Sequence, residues 1–306
     1  MKKVFYFIFI AAAALVACNK QLDNNVAPAR ETAEIVFTMP SEFGFATRAT
    51  EVTTADVNTI YVNATTGSSS ETAVFTSSTF TKSGNDWKGG KFWPETDPGY
   101  HFYVANVALT HTSSGATVSP SNANTDIVVD YVASPTHKQK TNVILEHIFA
   151  QVGTVSMKAP AGYAVTNMKV SLTPIVGGTY NLKSDTWTSR GSAQSAVYIL
   201  GTNNSGVTIS TESNNVTYTG TDNNLWLVPG SYVLTASYTI SKGEYSKNIT
   251  GKTCTVTLVQ GKNNNIGPTV SGNVDQPNIP EPDDIAEITF GVTVTPWGDQ
   301  HVDANF

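Results

Sequence analysis

The chain has 306 residues, a formal net charge of −6, two cysteines, 40% hydrophobic residues and only 14% charged ones. That is enough apolar material for real cores. The mild acidity excludes the basic stripe with which nucleic-acid binders displace counterions. Two cysteines exclude a disulfide scaffold or a cysteine-rich zinc module.

The first element reads as an export signal. Lys2 and Lys3 precede the apolar run Val4 to Ala14, which ends in Leu15-Val16-Ala17-Cys18. The run is short of the roughly 20 residues that a membrane span needs. Its ending resembles a bacterial lipobox, so Cys18 is expected to carry lipid and become the mature N-terminus, anchored in a membrane with the rest of the chain outside the cytoplasm. Each buried acyl CH₂ contributes about 0.8 kcal/mol to that anchor. Residues 1–17 are then signal peptide and residues 18–30 a polar tether. Using Cys18 leaves Cys254 alone, which excludes an intrachain disulfide. Cys254 shares strand parity with Val256 and Leu258, as a small buried hydrophobe does.

Beyond the tether, apolar and polar residues alternate with period two almost everywhere. Ile35, Phe37 and Met39 alternate with Val36 and Thr38. Further strands are expected at Val57–Val62, Val74–Phe80, Phe102–Val107, Ile127–Val132, Val143–Phe149, Thr154–Met157, Met168–Leu172, Ala196–Leu200 and Leu225–Val228. Tyr232 to Ile240, Cys254–Val259 and the set Ile288, Phe290, Val292, Val294 complete the series. Turn chemistry such as Asp97-Pro98-Gly99, Asn203-Asn204-Ser205-Gly206 and Pro229-Gly230 separates them. Thr, Ser and Asn are abundant, which favours strands and turns. Short strands between polar turns predict an all-β chain of antiparallel sandwiches. The polar stretch Ser134 to Thr141 divides it into an N-terminal domain at 31–140 and a C-terminal domain at 141–306. Pro277 to Pro282 reads as an extended linker.

No site chemistry is evident. The five histidines form no close metal-ligand pair, and Asp283-Asp284 lacks the calcium-loop pattern. Neither a G-x-S-x-G elbow nor a P-loop occurs. No catalytic, cofactor or metal residue is nominated, and the chain is not expected to be an enzyme. In the aromatic cluster Phe92-Trp93-Pro94 with Tyr100 to Tyr103, Phe102 and Val104 share a strand face, so part of the cluster is expected to be core. Joined by Trp87, Trp187 and Trp226, it also motivates one alternative: a non-polymerising surface lipoprotein that binds glycans.

Several segments in order resemble the fimbrillin family of Bacteroidales, the type V pilins and their Mfa-like relatives. They are the lipobox at Cys18, the strand Glu34–Met39 followed by Thr47-Arg48-Ala49-Thr50, Phe92-Trp93-Pro94 leading to Phe102-Tyr103-Val104-Ala105, and Leu145 to Val152. Leu227-Val228-Pro229-Gly230-Ser231-Tyr232, Gly261-Lys262-Asn263, and Ile288-Thr289-Phe290 with Pro296-Trp297-Gly298 complete the set.

The resemblance implies two tandem transthyretin-like β-sandwich domains. It also implies export as a surface-exposed lipoprotein of the outer membrane, trimming by an arginine-specific protease, and incorporation into fimbriae by strand exchange with other subunits, self or accessory. Carried onto this sequence, cleavage falls between Arg48 and Ala49 and removes the lipid anchor on Cys18 together with residues 31–48, which hold the strand Glu34–Met39. The donor strand lies at 288–297, with Ile288, Phe290, Val292 and Val294 on one face. A receptor on a host or bacterial surface is a further expected partner. Two arrangements stay open for the C-terminal strand: donation to a neighbour, or completion of its own domain.

Overall fold

The computed structural model describes residues 33–39, 56–121, 126–157, 159, 163–209, 214–216, 225–269 and 289–296. Cys18, Arg48, Ala49, Ile288 and the proline-rich linker lie outside the described residues. Among those described, every regular element is a strand, as the alternating pattern requires.

The first half of the chain supplies β1 (Glu34–Thr38), β2 (Thr59–Thr66), β3 (Thr72–Ser83), β4 (Asp86–Phe92), β5 (Tyr100–Ala105), β6 (Thr110–Thr112), β7 (Gly115–Val118), β8 (Val128–Ala133), β9 (Thr141–Asn142) and β10 (Glu146–His147). The second half supplies β11 (Ala150–Met157), β12 (Ala164–Leu172), β13 (Gly178–Asn181), β14 (Thr186–Arg190), β15 (Val197–Leu200), β16 (Val207–Ile209) and β17 (Asn214–Val216). It ends with β18 (Leu225–Leu227), β19 (Gly230–Lys242), β20 (Tyr245–Leu258), β21 (Lys262–Thr269) and β22 (Thr289–Pro296).

Eight strands of the first half form one sheet in the order β10-β8-β5-β2-β3-β4-β1-β9. Its two edge strands, β9 and β10, are separated in the chain only by Val143, Ile144 and Leu145. Such a segment spans at most about 14 Å, so the sheet rolls back on itself. The enclosed core holds Ile35, Phe37, Ile60, Phe80, Trp87, Trp93 and Phe102, all essentially inaccessible. Gly89 in β4 lets the backbones close up there: a Cβ would meet the Thr79 carbonyl oxygen at 2.6 Å and the Phe80 ring at 2.8 Å.

In the second half, β17-β11-β21-β22 form one sheet and β15-β12-β19-β20 another, with β18 and β16 joined to β11 and β12. A single core lies along them, built from Val155, Val165, Met168, Val170, Leu234, Ile240, Leu258 and Ile266 among others. β19 alternates strictly: Tyr232, Leu234, Ala236, Tyr238 and Ile240 are buried, while Ser231, Val233, Thr235, Ser237 and Thr239 face outward. It pairs with β20 from Gly230↔Leu258 to Lys242↔Tyr245, with a bulge at Gly251 (φ +67°).

A fourth sheet, β14-β13-β7-β6, is composite. The β6–β7 hairpin comes from the first half and the β13–β14 hairpin from the second, paired through Tyr180↔Val118 and Asn181↔Thr117. Beneath it lies a third core that draws Tyr103, Ile127 and Ile148 together with Tyr180, Leu182 and Trp226. The two halves therefore share both a sheet and a core.

Candidate functional site: two terminal strands and their seats

β1 sits between β4, antiparallel, and β9, parallel. Its alternation puts Ile35 and Phe37 fully inside the rolled sheet. The Phe37 ring meets Phe80 at 4.9 Å and Phe102 at 5.1 Å between centroids, both edge to face. The Trp93 N–H donates to the Ala33 carbonyl at 2.9 Å, and the Val143 N–H donates to the Thr38 carbonyl at 2.9 Å. Burial of Ile35 and Phe37 contributes about 1.5–3 kcal/mol each. β9 has no other neighbour in the sheet, so it depends on β1 for its place.

β22 is the edge strand of its sheet and pairs with β21 over its full length, from Lys262↔Pro296 to Thr269↔Thr289. Phe290, Val292 and Val294 occupy alternate positions of this ladder, opposite Pro268, Ile266 and Asn264. The strand therefore lies within its own half of the chain. β1 and β22 belong to different sheets, and the structure does not bring them together.

The aromatic cluster is placed differently from a sugar platform. Trp93 is 1% exposed, and Tyr100, Phe102 and Tyr103 are likewise buried, as are Trp87 and Trp226. Trp93 packs against Tyr100, Phe102 and His137. Trp187 is half-buried and donates its Nε1–H to the Ile148 carbonyl at 3.0 Å. Of the proposed platform, Phe92 alone is mostly exposed, at 54%. The glycan expectation thus loses its exposed rings, because they fill the cores of the rolled sheet and of the composite sheet.

Sequence reading missed a buried polar cluster under the composite sheet. The Glu71 carboxylate accepts from the Thr65 hydroxyl at 2.6 Å, the Tyr103 hydroxyl at 2.7 Å and the Lys183 ammonium at 2.5 Å. Glu71 is 4% exposed. Burial pushes its carboxyl up, but the Lys183, Thr65 and Tyr103 donors together outweigh this and hold it below its ordinary value of 4.5. A folded-state value below the unfolded one means that the cluster stabilises fully above about pH 4.5 and is lost as pH falls through the folded value. Acid melts of the parent should therefore show a stability decline that Glu71→Gln flattens. Lys183→Met leaves the carboxylate buried without its cation and should destabilise at pH 7 by about 2–3 kcal/mol, read by urea melts. Glu71 and Lys183 are 112 residues apart, so no local pattern could have paired them.

Two further acids lie near the rolled sheet's edge. Asp126 pairs with His147 at 2.8 Å, both side chains buried. Asp130 accepts from the Ile144 N–H at 2.7 Å. Burial pushes Asp130 up from 3.8 to about 6, with Glu146 nearby adding to the rise. A raised carboxyl makes the native state the tighter proton binder, so this group's contribution falls as pH rises from about 4 to 6. Asp130→Asn keeps an acceptor for Ile144 and should gain about 1 kcal/mol at pH 7 but little at pH 4, read by thermal melts at both pH values.

No protein-family model matches the chain, and no curated protein matches it. Solved structures do. A fimbrial protein from Bacteroides vulgatus superposes with a TM-score of 0.56 at 14% identity, covering 86% of this chain and 99% of that one. The chain shares the fold of a fimbrial protein. A candidate cell adhesion protein from Parabacteroides distasonis gives a TM-score of 0.52 at 11% identity, covering 88% of this chain and 99% of that one. Because both neighbours are spanned almost end to end, the likeness is of the whole fold and not of one sandwich.

Proposed function

We propose that the chain is a structural or adhesive subunit of cell-surface fimbriae. It is exported as a lipoprotein through Cys18, cut between Arg48 and Ala49, and assembled by strand exchange. The observation that carries this reading is the seat of β1. It is one short strand at the N-terminal side of Arg48, yet it fills the rolled sheet with Ile35 and Phe37. Detaching it leaves the backbone edges of β4 and β9 unpaired and uncovers Phe80 and Phe102. An unfilled apolar slot with two free edges is the acceptor that strand addition requires.

The arginines support a cut at this place. Arg190 lies within β14, its guanidinium 5.3 Å from the Tyr232 ring centroid and hydrogen-bonded to the Val228 carbonyl at 3.4 Å. A protease needs a segment that can leave its neighbours, and Arg190 is held in the β13–β14 ladder opposite Gly178. Of Arg30 and Arg48, only a cut at Arg48 separates β1 from the rest of the chain. β22 is the matching donor: an edge strand with Phe290, Val292 and Val294 at alternate positions and, among the described residues, a single ladder, to β21. Head-to-tail contacts of this kind do not close on themselves and so extend into a filament.

The decisive experiment adds an arginine-specific protease to the chain from Asn19 onward. The new N-terminus and the size distribution are then followed together. A terminus at Ala49 with an SDS-resistant ladder supports the reading. A cut at Arg48 that leaves β1 bound and the chain monomeric overturns assembly by this route.

A further inference from the structure

The outer face of β12, β19 and β20 is almost free of charge. Ser231, Val233 and Thr235 of β19 lie opposite Thr257, Thr255 and Thr253 of β20. Lys169 is the one charged side chain among the outward positions of β12, and it is turned onto the Asn203 carbonyl at 2.7 Å. At 55%, Val233 is the most exposed of the large hydrophobic residues described. Threonine is at home on a strand; what sets this face apart is an exposed Val233 with almost no charge around it.

We propose that this face is a lateral contact between two copies of the chain. Three arguments favour a second copy. First, the chain carries a net charge of −6, so copies repel one another least where they present no charge. Second, a hydroxyl both donates and accepts, so the array is complementary to its own copy without any matching charge pattern, as a two-fold contact requires. Third, β-branched and short side chains are already fixed on the strand, so little rotamer freedom is lost on contact. The alternative of edge-to-edge pairing is opposed at β20. Its outer edge is interrupted by the Gly251 bulge with Lys252 beside it, opposite Ala236, a combination that blunts edges.

The face measures about 14 by 34 Å, or about 500 Å². That is less than the roughly 800 Å² per partner of a stable complex, so one pair of copies associates weakly. On the filament reading, on which this part of the inference rests, the contact repeats along two neighbouring filaments and its strength multiplies. The face then bundles filaments.

The test uses the chain from Asn19 onward and its Thr235→Lys/Thr253→Lys variant. Sedimentation equilibrium should show weak, reversible self-association of the parent that hardly responds to salt. In the variant, facing lysines should weaken it about tenfold or more. Should the lysines lower the melting temperature, Val233→Asn is read in their place and should weaken association in the same direction. After protease treatment, parent filaments should lie in bundles under the electron microscope and variant filaments singly. Equal association of parent and variants, or a parent that stays monomeric near 1 mM, overturns the inference. Filaments that form but lie singly in both overturn it while leaving the filament reading intact. A salt-insensitive dimer without any filament does the reverse. A neutral polysaccharide whose binding is lost in the variants, with self-association unchanged, assigns the face to sugar and overturns the proposal.

Discussion

A chain carrying Arg48→Ala is expected to form no SDS-resistant ladder when an arginine-specific protease is added, while the parent converts into one. The effect is all-or-none because of where Arg48 lies. Arg190 is tied into β14 and to Tyr232, and a cut at Arg30 leaves β1 joined to the strands that follow. With β1 attached, the slot beside Phe80 and Phe102 stays filled at high effective concentration, and an incoming strand cannot compete. A truncation ending at Pro280 provides the complementary loss: it should be cut at Arg48 yet form no ladder, since β22 is gone. A ladder from Arg48→Ala, or from the truncated chain, would disprove strand exchange through these two elements. Size-exclusion chromatography and unboiled SDS gels read all three outcomes.

The second large effect is thermodynamic. Phe37→Ala should destabilise the uncut chain by about 3–5 kcal/mol. The ring is fully buried and makes edge-to-face contacts with both Phe80 and Phe102, and the rolled sheet cannot collapse into the space because its two edges are tethered by residues 143–145. Urea unfolding measures this directly. In chain that has been cut and has released β1, the same substitution should change nothing, because the residue is no longer there. That contrast separates a strand that is only part of the core from one that is part of the core and removable. A loss below about 1 kcal/mol in the uncut chain would mean that the slot tolerates vacancy, and β1 would not be what fills the acceptor before cleavage.

Much of this architecture was legible in the sequence, because period-two alternation is a backbone property written residue by residue. β1, β2, β5, β19 and β22 fall where Ile35-Phe37, Ile60-Val62, Phe102-Val104, Tyr232-Ile240 and Phe290-Val294 place them. The strands that escaped are those whose order comes from partners. β4 contains Gly89 and Gly90, which interrupt the alternation; Gly89 is required by the close approach of Thr79 and Phe80, and Gly90 takes a positive φ of +62° in open space. β6, β7, β13 and β14 are short and rich in Thr, Gly and Asn, and they become strands only by pairing across the two halves. The Glu71 cluster was invisible for the same reason. Part of the aromatic run from Phe92 to Tyr103 was legible as core, since Phe102 and Val104 share a strand face, but strand parity does not say that Trp93 and Tyr100 also turn inward, at the end of a sheet that rolls. Burial there depends on closure, which no window of a few residues records.

The composite sheet has a mechanical consequence. If copies assemble as proposed, a subunit held by its neighbours at β1's seat in one half and at β22 in the other must transmit tension through whatever joins the halves. Here that joint is no linker: Tyr180 and Asn181 are hydrogen-bonded into the first half, Leu182 sits in a shared core, and Lys183 is bolted to Glu71. A load along such a chain of subunits would find no compliant waist inside each one. Bending and stretch would concentrate at the junctions between subunits, and the spacing of those junctions would set how sharply a fibre can curve.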